Sequence, residues 1–302
     1  MKRRWFLALS LALAFALPCP GQTLETIHSE RLHREVPVAL HVPAPVVVRQ
    51  WTAGHPGPMT LVLFLPGAYD GPRDFQREGL DAFLADQEAR GELPPSLWVA
   101  VTHFRSWYAD RADGSFPYER FLMDELLPLL EARYPGFGGN PKARAVTGLS
   151  MGGFGALNLA ARTGAFARCL ALSPALVEAP FQGLNWFLRR SLAKVFPRDP
   201  AAFAPWNPWK HLGGSAELIV GCGTEDGHGL AEACRTFARI CAERHRPMRL
   251  ELSPGGHDWS YWTPAFKRWA PWLAGREGAA PATRPETGGR RDSPDASGPG
   301  CT

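Results

Sequence analysis

Short apolar runs alternate along this chain with longer segments in which apolar residues recur at helical spacing. The apolar runs predict strands at 36–42, 59–65, 96–102, 143–149, 168–173, 216–221 and 248–253. Helical spacing is found in GLDAFLADQEARG, FLMDELLPLLEARY, the run after Ser150, AEACRTFARICAERH and PAFKRWAPWLA. Strands that alternate with helices predict the α/β class, with a doubly wound and mostly parallel sheet.

The segment RAVTGLSMGGFGALNLAAR (144–162) places Ser150 between a predicted strand and a predicted helix. A serine on such a strained turn, within Gly-x-Ser-x-Gly, is the nucleophile elbow of serine hydrolases. Gly148, Gly152 and Gly153 let the backbone approach closely where a Cβ would clash. The pentapeptide can arise by chance in a chain with 31 glycines, so its position between strand and helix is what favours a nucleophile.

A serine needs a histidine, oriented by a carboxylate, to become a good nucleophile at neutral pH. ELIVGCGTED (217–226) predicts a strand that ends in an acidic turn, and GGHDWSYW (255–262) offers a histidine after the last strand. We therefore predict Ser150 as nucleophile, Asp226 as acid and His257 as base. α/β-Hydrolases carry the three residues in this order along the chain.

The acid has one alternative, because Glu225 lies in the same turn as Asp226 and a glutamate there could also reach the imidazole. His228 is too close to the acid in sequence to be its natural partner. A turn histidine can also be bonded only to backbone, but the position of His257 after the last predicted strand favours the catalytic role.

An oxyanion hole requires backbone N–H groups that point at the tetrahedral oxygen, one of them from the residue after the nucleophile. That residue is Met151. The second donor should come from the loop after an early buried strand, and MTLVLFLPGAYDGPRDF (59–75) has this form, which nominates the amide of Ala68. An ordinary strand-ending turn would explain LPGAYDG equally well.

These motifs together resemble the putative esterase family of α/β-hydrolases, which includes esterase D, feruloyl esterases, enterochelin esterases and the antigen 85 mycolyltransferases. The similarity covers residues 24 to about 273 and rests on SERLHREVPVALHVP (29–43), SWYADRADGSFPYERFLMDELLPLLEARYP (106–135), the elbow, GCGTED and GGHDWSYW. It implies an α/β-hydrolase fold, the triad Ser150, Asp226 and His257, and oxyanion amides at Ala68 and Met151. Many relatives have His-Gly where this chain has Pro66-Gly67, and the chemistry should survive because the family uses a backbone amide there.

Length and composition fit one domain, since 302 residues with 45% hydrophobic content can bury one large core. MKRRWFLALSLALAFALPCPGQ has a basic head and an apolar stretch, which predicts a signal peptide over 1–21 and a secreted or periplasmic enzyme. That stretch is too short to span a bilayer comfortably, so we expect no stable membrane span. We expect the esterase domain over 22–274 and a disordered, Gly- and Pro-rich tail over 275–302.

The charge and the cysteine spacing argue against a nucleic-acid-binding protein and against a metal-binding one. The formal charge of +4 includes Lys2, Arg3 and Arg4, so it falls to +1 without the signal peptide, and a nucleic-acid partner is not expected. The cysteines lack metal-ligand spacing, so we expect no metal, no cofactor and mostly free thiols. A disulfide between Cys169 and Cys222 stays open at this stage.

The long connection at about 174–213 predicts a cap over the site, because a plain crossover needs fewer residues. Aromatic residues in it and in the loops near the triad could wall a substrate pocket; the candidates are Trp107, Tyr108, Trp186, Trp206 and Trp259. For any single ring, ordinary packing is the alternative. As a group they suggest an apolar or planar substrate.

We therefore expect a serine carboxylic-ester hydrolase that acts through an acyl-enzyme on Ser150, on a small-molecule or glycan-linked ester. One alternative is an acyltransferase of the mycolyltransferase type, which passes the acyl group to a sugar or lipid alcohol. Another is a non-catalytic binding protein on the same scaffold. The first two share the acyl-enzyme, so the sequence does not separate them, whereas the intact triad argues against the third.

Overall fold

The sheet that organises the protein is seen in a computed structural model, which describes residues 21–176, 186–227, 229–276 and 278. Among these residues it has eight strands in the order β1-β2-β4-β3-β5-β6-β7-β8. Their bounds are β1 Gly21–Ser29, β2 Arg34–Val42, β3 Leu61–Leu65, β4 Leu97–Val101, β5 Arg144–Leu149, β6 Arg168–Leu172, β7 Glu217–Gly223 and β8 Met248–Ser253.

Strand direction divides the sheet into two parts. β2 runs antiparallel to both β1 and β4, whereas β4, β3, β5, β6, β7 and β8 pair in parallel. β3 and β4 are buried at every position, as expected for parallel strands that are covered on both faces. The predicted doubly wound α/β class is confirmed, and β1 is an additional strand that the apolar pattern did not indicate.

Helices cover both faces of the sheet. They are α1 Pro45–Gly54, α2 Asp74–Arg77, α3 Leu80–Ala89, α4 Tyr118–Arg120, α5 Leu127–Arg133, α6 Met151–Thr163, α7 Trp186–Leu192, α8 Pro200–Phe203, α9 Leu230–Glu243 and α10 Trp259–Leu273. The core on one face includes residues of α3 and α10, and the core on the other includes residues of α5, α6 and α9. α1 contributes no fully buried residue, although its Val48 and Trp51 pack partly buried against the core, and the sequence analysis did not predict it.

One predicted helix, FLMDELLPLLEARY, contains a wider turn than expected. A π-helical segment, Phe121–Leu126, joins α4 to α5, and Pro128 follows directly in the first turn of α5. Proline lacks an N–H and its ring clashes with the carbonyl four residues earlier. A π-bulge before Pro128 relieves that clash while the helix continues.

The thiols of Cys169, Cys222, Cys234 and Cys241 are all free and buried. Cys169 pairs with Leu218 in the β6–β7 register, and Cys222 lies four residues further along β7. An offset of that length is roughly 13 Å in a strand, well beyond the Cα separation that a disulfide spans. The strands are neighbours, as expected, but the two thiols lie near opposite ends of them.

The predicted signal peptide and tail lie almost wholly outside the described residues. β1 begins at Gly21, where the predicted signal peptide ends. Within the described residues, no helix combines the length and the apolar composition that crossing a bilayer requires.

Candidate active site

Ser150 lies on the turn between β5 and α6, with φ 56° and ψ −117°. Few non-glycine residues adopt a positive φ, and such strain clusters at functional sites. Its backbone N–H donates to Leu172 O at 2.9 Å, and its carbonyl accepts from Phe154 N and Ala175 N. Neighbouring strand and helix therefore hold the serine in this conformation.

Glycines make this turn sterically feasible. A Cβ added to Gly152 would lie 1.8 Å from Leu65 O, and one added to Gly148 would lie 2.3 Å from Gly152 O. Both atoms belong to backbone, so no side chain could move aside. The start of α6 consequently packs directly against the end of β3, which brings Ser150 next to the loop that follows β3.

His257 lies in the short connection between β8 and α10, residues 254–258, which we call the histidine loop. Asp258 ends this loop and caps α10, because its Oδ1 accepts a hydrogen bond from Ser260 N at 2.8 Å. The imidazole Nε2 of His257 is 2.9 Å from Ser150 Oγ. The histidine is therefore placed to take the hydroxyl proton of the serine.

The other imidazole nitrogen identifies the acid that faces it. His257 Nδ1 is 2.7 Å from Asp226 Oδ2, and the Asp226 side chain is fully buried. Glu225 is exposed, and its backbone N–H donates to Gly255 O. Of the two carboxylates left open by the sequence, the structure brings Asp226 to the imidazole. His228 lies outside the described residues.

The predicted oxyanion donors flank the serine. Met151 is the first residue of α6, and the first N–H groups of a helix have no partner inside it. Ala68 is buried in the loop after β3, residues 66–70, which we call the oxyanion loop. A Cβ added to its Gly67 would lie 3.6 Å from Ser150 Cβ. This loop therefore lies beside the nucleophile, and the use of the two amides as donors stays a prediction.

Side chains from two other segments hold the oxyanion loop. Tyr108 Oη donates to Pro66 O at 2.6 Å, and His103 Nε2 donates to Asp70 O at 3.0 Å. Trp259 Nε1 donates to Asp70 Oδ1 at 3.0 Å. Sequence reasoning missed Asp70, although it lies in LPGAYDG, and His103, which belongs to no motif, since their contacts join segments that are distant along the chain.

Burial shifts the pKa values of these groups. It lowers the pKa of His103 and raises the pKa values of Asp70 and Tyr108. His103 Nδ1 accepts from Arg105 N at 2.8 Å, so its proton lies on Nε2, as in neutral imidazole. For Asp70, the hydrogen bond from Trp259 opposes the effect of burial.

The predicted pocket aromatics separate into different environments. Trp107 is fully buried, donates from Nε1 to Ser191 Oγ and packs edge-on against Phe154. Tyr108 is 1% exposed. Both rings therefore belong to the core that supports the site and do not face a pocket, and both residues have a positive φ, 54° at Trp107 and 60° at Tyr108.

The remaining pocket candidates differ in how much the structure says of them. Trp206 is partly buried against Phe196 in the predicted cap, with ring centroids 5.7 Å apart. Trp259 is partly exposed next to the oxyanion loop, where its indole bonds to Asp70. The side chain of Trp186 lies outside the described residues. Trp259 is thus the candidate that the structure places beside the triad.

Cys222, which the sequence offered only as a possible disulfide partner, lies against the acid. Cys222 Sγ is 3.9 Å from Asp226 Oδ2, within reach of a weak S–H hydrogen bond. A hydrogen bond from Cys234 lowers the pKa of Cys222, and the same interaction together with burial raises the pKa of Cys234. Cys222 therefore contacts the acid directly, and Cys234 in turn bonds to Cys222.

A known protein family matches most of the part of the chain that carries this site. A family model described as putative esterase matches residues 96–273, which span β4 to the end of α10 and include all three triad candidates. The chain belongs to the putative esterase family. This protein is accordingly a carboxylic ester hydrolase with the α/β-hydrolase fold, as the motifs indicated.

Solved structures similar to this esterase share its fold at low sequence identity. The fluorophosphonate-binding serine hydrolase F of Staphylococcus aureus has a TM-score of 0.68 and 18% identity, covering 85% of this chain and 99% of that one. A ferulic acid esterase has a TM-score of 0.64 and 22% identity, covering 84% and 97%. An S-formylglutathione hydrolase from Agrobacterium tumefaciens has a TM-score of 0.65 and 19% identity, covering 86% and 98%. No curated protein sequence matched the chain.

Proposed function

We propose that this esterase cleaves carboxylic esters through an acyl-enzyme on Ser150. His257 takes the hydroxyl proton as Ser150 Oγ attacks the ester carbonyl, and then delivers it to the leaving alcohol. Asp226 orients the imidazole and stabilises its charged form. The amides of Ala68 and Met151 stabilise the oxyanion of the tetrahedral intermediate. Water, activated by His257, then attacks the acyl-enzyme and releases the acid.

The observation that carries this proposal is the continuous chain of hydrogen bonds from Ser150 through His257 to Asp226, at 2.9 Å and 2.7 Å. Nucleophile and base within hydrogen-bond reach, with the base oriented by a third group, is the arrangement of activated serine nucleophiles. The strained φ of Ser150 adds a second, independent feature of that arrangement.

The substrate and its location belong to the same proposal. We propose that the substrate is a small-molecule or glycan-linked ester. A solved ferulic acid esterase with the same fold supports testing this class of substrate. The basic and apolar N-terminal sequence supports action outside the cytoplasm, in the periplasm or after secretion. N-terminal sequencing of the exported protein checks the second point, with the mature chain expected to begin at about residue 22.

The deciding experiment compares Ser150→Ala with the wild type on p-nitrophenyl esters. Replacing the nucleophile should lower kcat by about 10⁶-fold and abolish labelling by a fluorophosphonate probe. Ser115→Ala is the matched control, because Ser115 is an exposed serine whose hydroxyl bonds only to Asp113 in its own turn. Retention of most activity or of labelling in Ser150→Ala would show that another residue is the nucleophile.

A burst of p-nitrophenol in the first turnover would report the acyl-enzyme itself. Adding alcohol acceptors at this stage separates hydrolysis from acyl transfer. We expect the free acid as the main product, since the proposal assigns water as the second nucleophile. Predominant transfer to the alcohol would replace the hydrolase assignment by an acyltransferase.

A further inference from the structure

The Asp70 carboxylate lies between the two loops that carry the proposed catalytic groups. Its Oδ1 accepts a hydrogen bond from Trp259 Nε1 at 3.0 Å, and Trp259 follows His257 by two residues, at the start of α10. Its backbone N–H donates to Gly67 O at 3.1 Å, which closes the turn that carries Ala68. One residue thus joins the oxyanion loop to the start of α10, which directly follows the histidine loop.

The second oxygen of the carboxylate reaches the neighbourhood of the nucleophile. A Cβ built on Gly67 would lie 2.5 Å from Asp70 Oδ2 and 3.6 Å from Ser150 Cβ. Asp70 therefore fills the space beside Gly67 on the side of the serine. A bulkier residue at position 67 would displace either the carboxylate or the loop.

The position is costly for a carboxylate, because burial of an ionised group is unfavourable unless hydrogen bonds compensate. The nearby groups Asp74 and Glu78 repel its charge, and Arg77 attracts it. The indole N–H of Trp259 supplies a neutral donor from the other side of the site. The hydrogen bond between Asp70 and Trp259 joins two segments that are distant along the chain. It forms only when the oxyanion loop and the start of α10 are both in place.

We propose that Asp70 is a positioning residue, which through its hydrogen bond to Trp259 sets the distance between the oxyanion amides and His257. The proposal rests on the esterase mechanism above. The oxyanion donors and the imidazole must serve one tetrahedral intermediate at the same time, and misplacement by 1 Å can cost about 10²-fold in rate. The bond fixes the oxyanion loop relative to the first residue of α10, two residues after His257, and most of the domain separates these two segments along the chain.

A double-mutant cycle on kcat and KM tests this bond, with Asp70→Ala, Trp259→Phe and the double variant. Each single variant should lower kcat by about ten- to a hundredfold with little change in KM, because the groups act on the geometry of the transition state. The double variant should be no slower than the slower single variant, since both remove the same hydrogen bond. Trp259→Phe keeps an aromatic ring against Trp262.

Rescue by a conservative variant separates positioning from charge. Asp70→Asn places an amide oxygen where Oδ1 accepts the indole N–H, so its kcat should stay within about threefold of the wild type. If Asp70→Asn is as slow as Asp70→Ala, the negative charge and not the hydrogen bond is what matters, and the proposal is overturned.

Trp272→Phe is the matched control. Its indole Nε1 donates to Glu217 Oε2 at 3.3 Å, which is the same kind of bond on the same helix, at the end away from the triad. We expect its kcat to equal that of the wild type even if its melting temperature falls.

The outcomes also separate this proposal from the proposed mechanism. Additive effects in the cycle, or an unchanged kcat in Trp259→Phe, overturn the positioning role. Activity that persists in Ser150→Ala overturns the mechanism instead. If Asp70→Ala does not fold, Trp259→Phe and Asp70→Asn carry the test, because both keep most of the packing.

Discussion

Asp226 and Glu225 are adjacent acidic residues, and only their side-chain directions separate them. Asp226 is buried and bonds to His257, whereas Glu225 points to solvent. A turn can orient either residue inward, so residue type and spacing left both open. The hydrogen bonds of the turn, from Glu225 N to Gly255 O and from Asp226 N to Gly223 O, determine which carboxylate faces the site.

Replacing each of the two acids by its amide tests this assignment. Asp226→Asn should lower kcat by about 10⁴-fold, because an amide no longer holds the imidazole in the required tautomer or stabilises its charge. Glu225→Gln should leave kcat at the wild-type value. Hydrolysis of a p-nitrophenyl ester measures both, and a larger loss in Glu225→Gln than in Asp226→Asn would reverse the assignment.

At the scale of elements, the strand-turn-helix unit formed by β5 and α6 places Ser150 where three segments meet. Leu65 at the end of β3 lies against Gly152, and Leu172 at the end of β6 accepts from Ser150 N. The carboxyl ends of three neighbouring parallel strands, β3, β5 and β6, thus meet around Ser150. Open α/β sheets bind ligands at this edge.

Gly152→Ala tests the close approach of α6 to β3. The new Cβ would meet a backbone carbonyl at 1.8 Å, so β3 and α6 must move apart, and we expect a lower melting temperature together with a large loss of kcat. Gly54→Ala is the control, because a Cβ there meets nothing within 4 Å and alanine favours a helix by up to about 1 kcal/mol. Thermal unfolding and esterase assays on both variants measure the difference, and a wild-type kcat in Gly152→Ala would contradict the packing argument.

At the scale of the whole molecule, the charge of Asp70 affects the stability of the fold separately from the hydrogen bond that the site uses. Burial raises its pKa, so the folded protein binds this proton more tightly than the unfolded chain does. The free energy of unfolding that depends on Asp70 therefore falls as the pH rises from the unfolded pKa through the raised one. At neutral pH the ionised carboxylate remains a cost to the fold.

Asp70→Asn should remove that cost. We expect a higher melting temperature than the wild type at pH 7, and a difference that shrinks as the pH falls through the raised pKa of Asp70 and has closed below the model-peptide pKa of Asp, about 3.9. Melting temperatures of both proteins across this pH range check the sign. A wild type that is more stable than Asp70→Asn at pH 7, with the gap closing in acid, would mean that the ionised form is favoured by folding.

Much of the architecture could be predicted because central parallel strands are continuous apolar runs. The predicted strands at 168–173 and 248–253 match β6 and β8 to within one residue. β1 was not predicted, since it is an edge strand with few apolar residues, Leu24 and Ile27, which do not alternate regularly, and among the described strands it pairs with β2. The π-helical turn before Pro128 was not predicted either, because it depends on the packing around the helix.

The amino-acid sequence by itself determined the class of fold, Ser150 and His257 as nucleophile and base, and the acidic turn 225–226 that supplies the acid, because local patterns encode strands, turns and chain order. Tertiary structure alone decided that Asp226 and not Glu225 faces the imidazole, that Trp107 and Tyr108 turn into the core, and that Asp70 bonds to Trp259 at the start of α10. These outcomes depend on contacts between segments as far apart as Asp70 and Trp259. Such contacts arise only when the whole sheet has formed, so no local pattern records them.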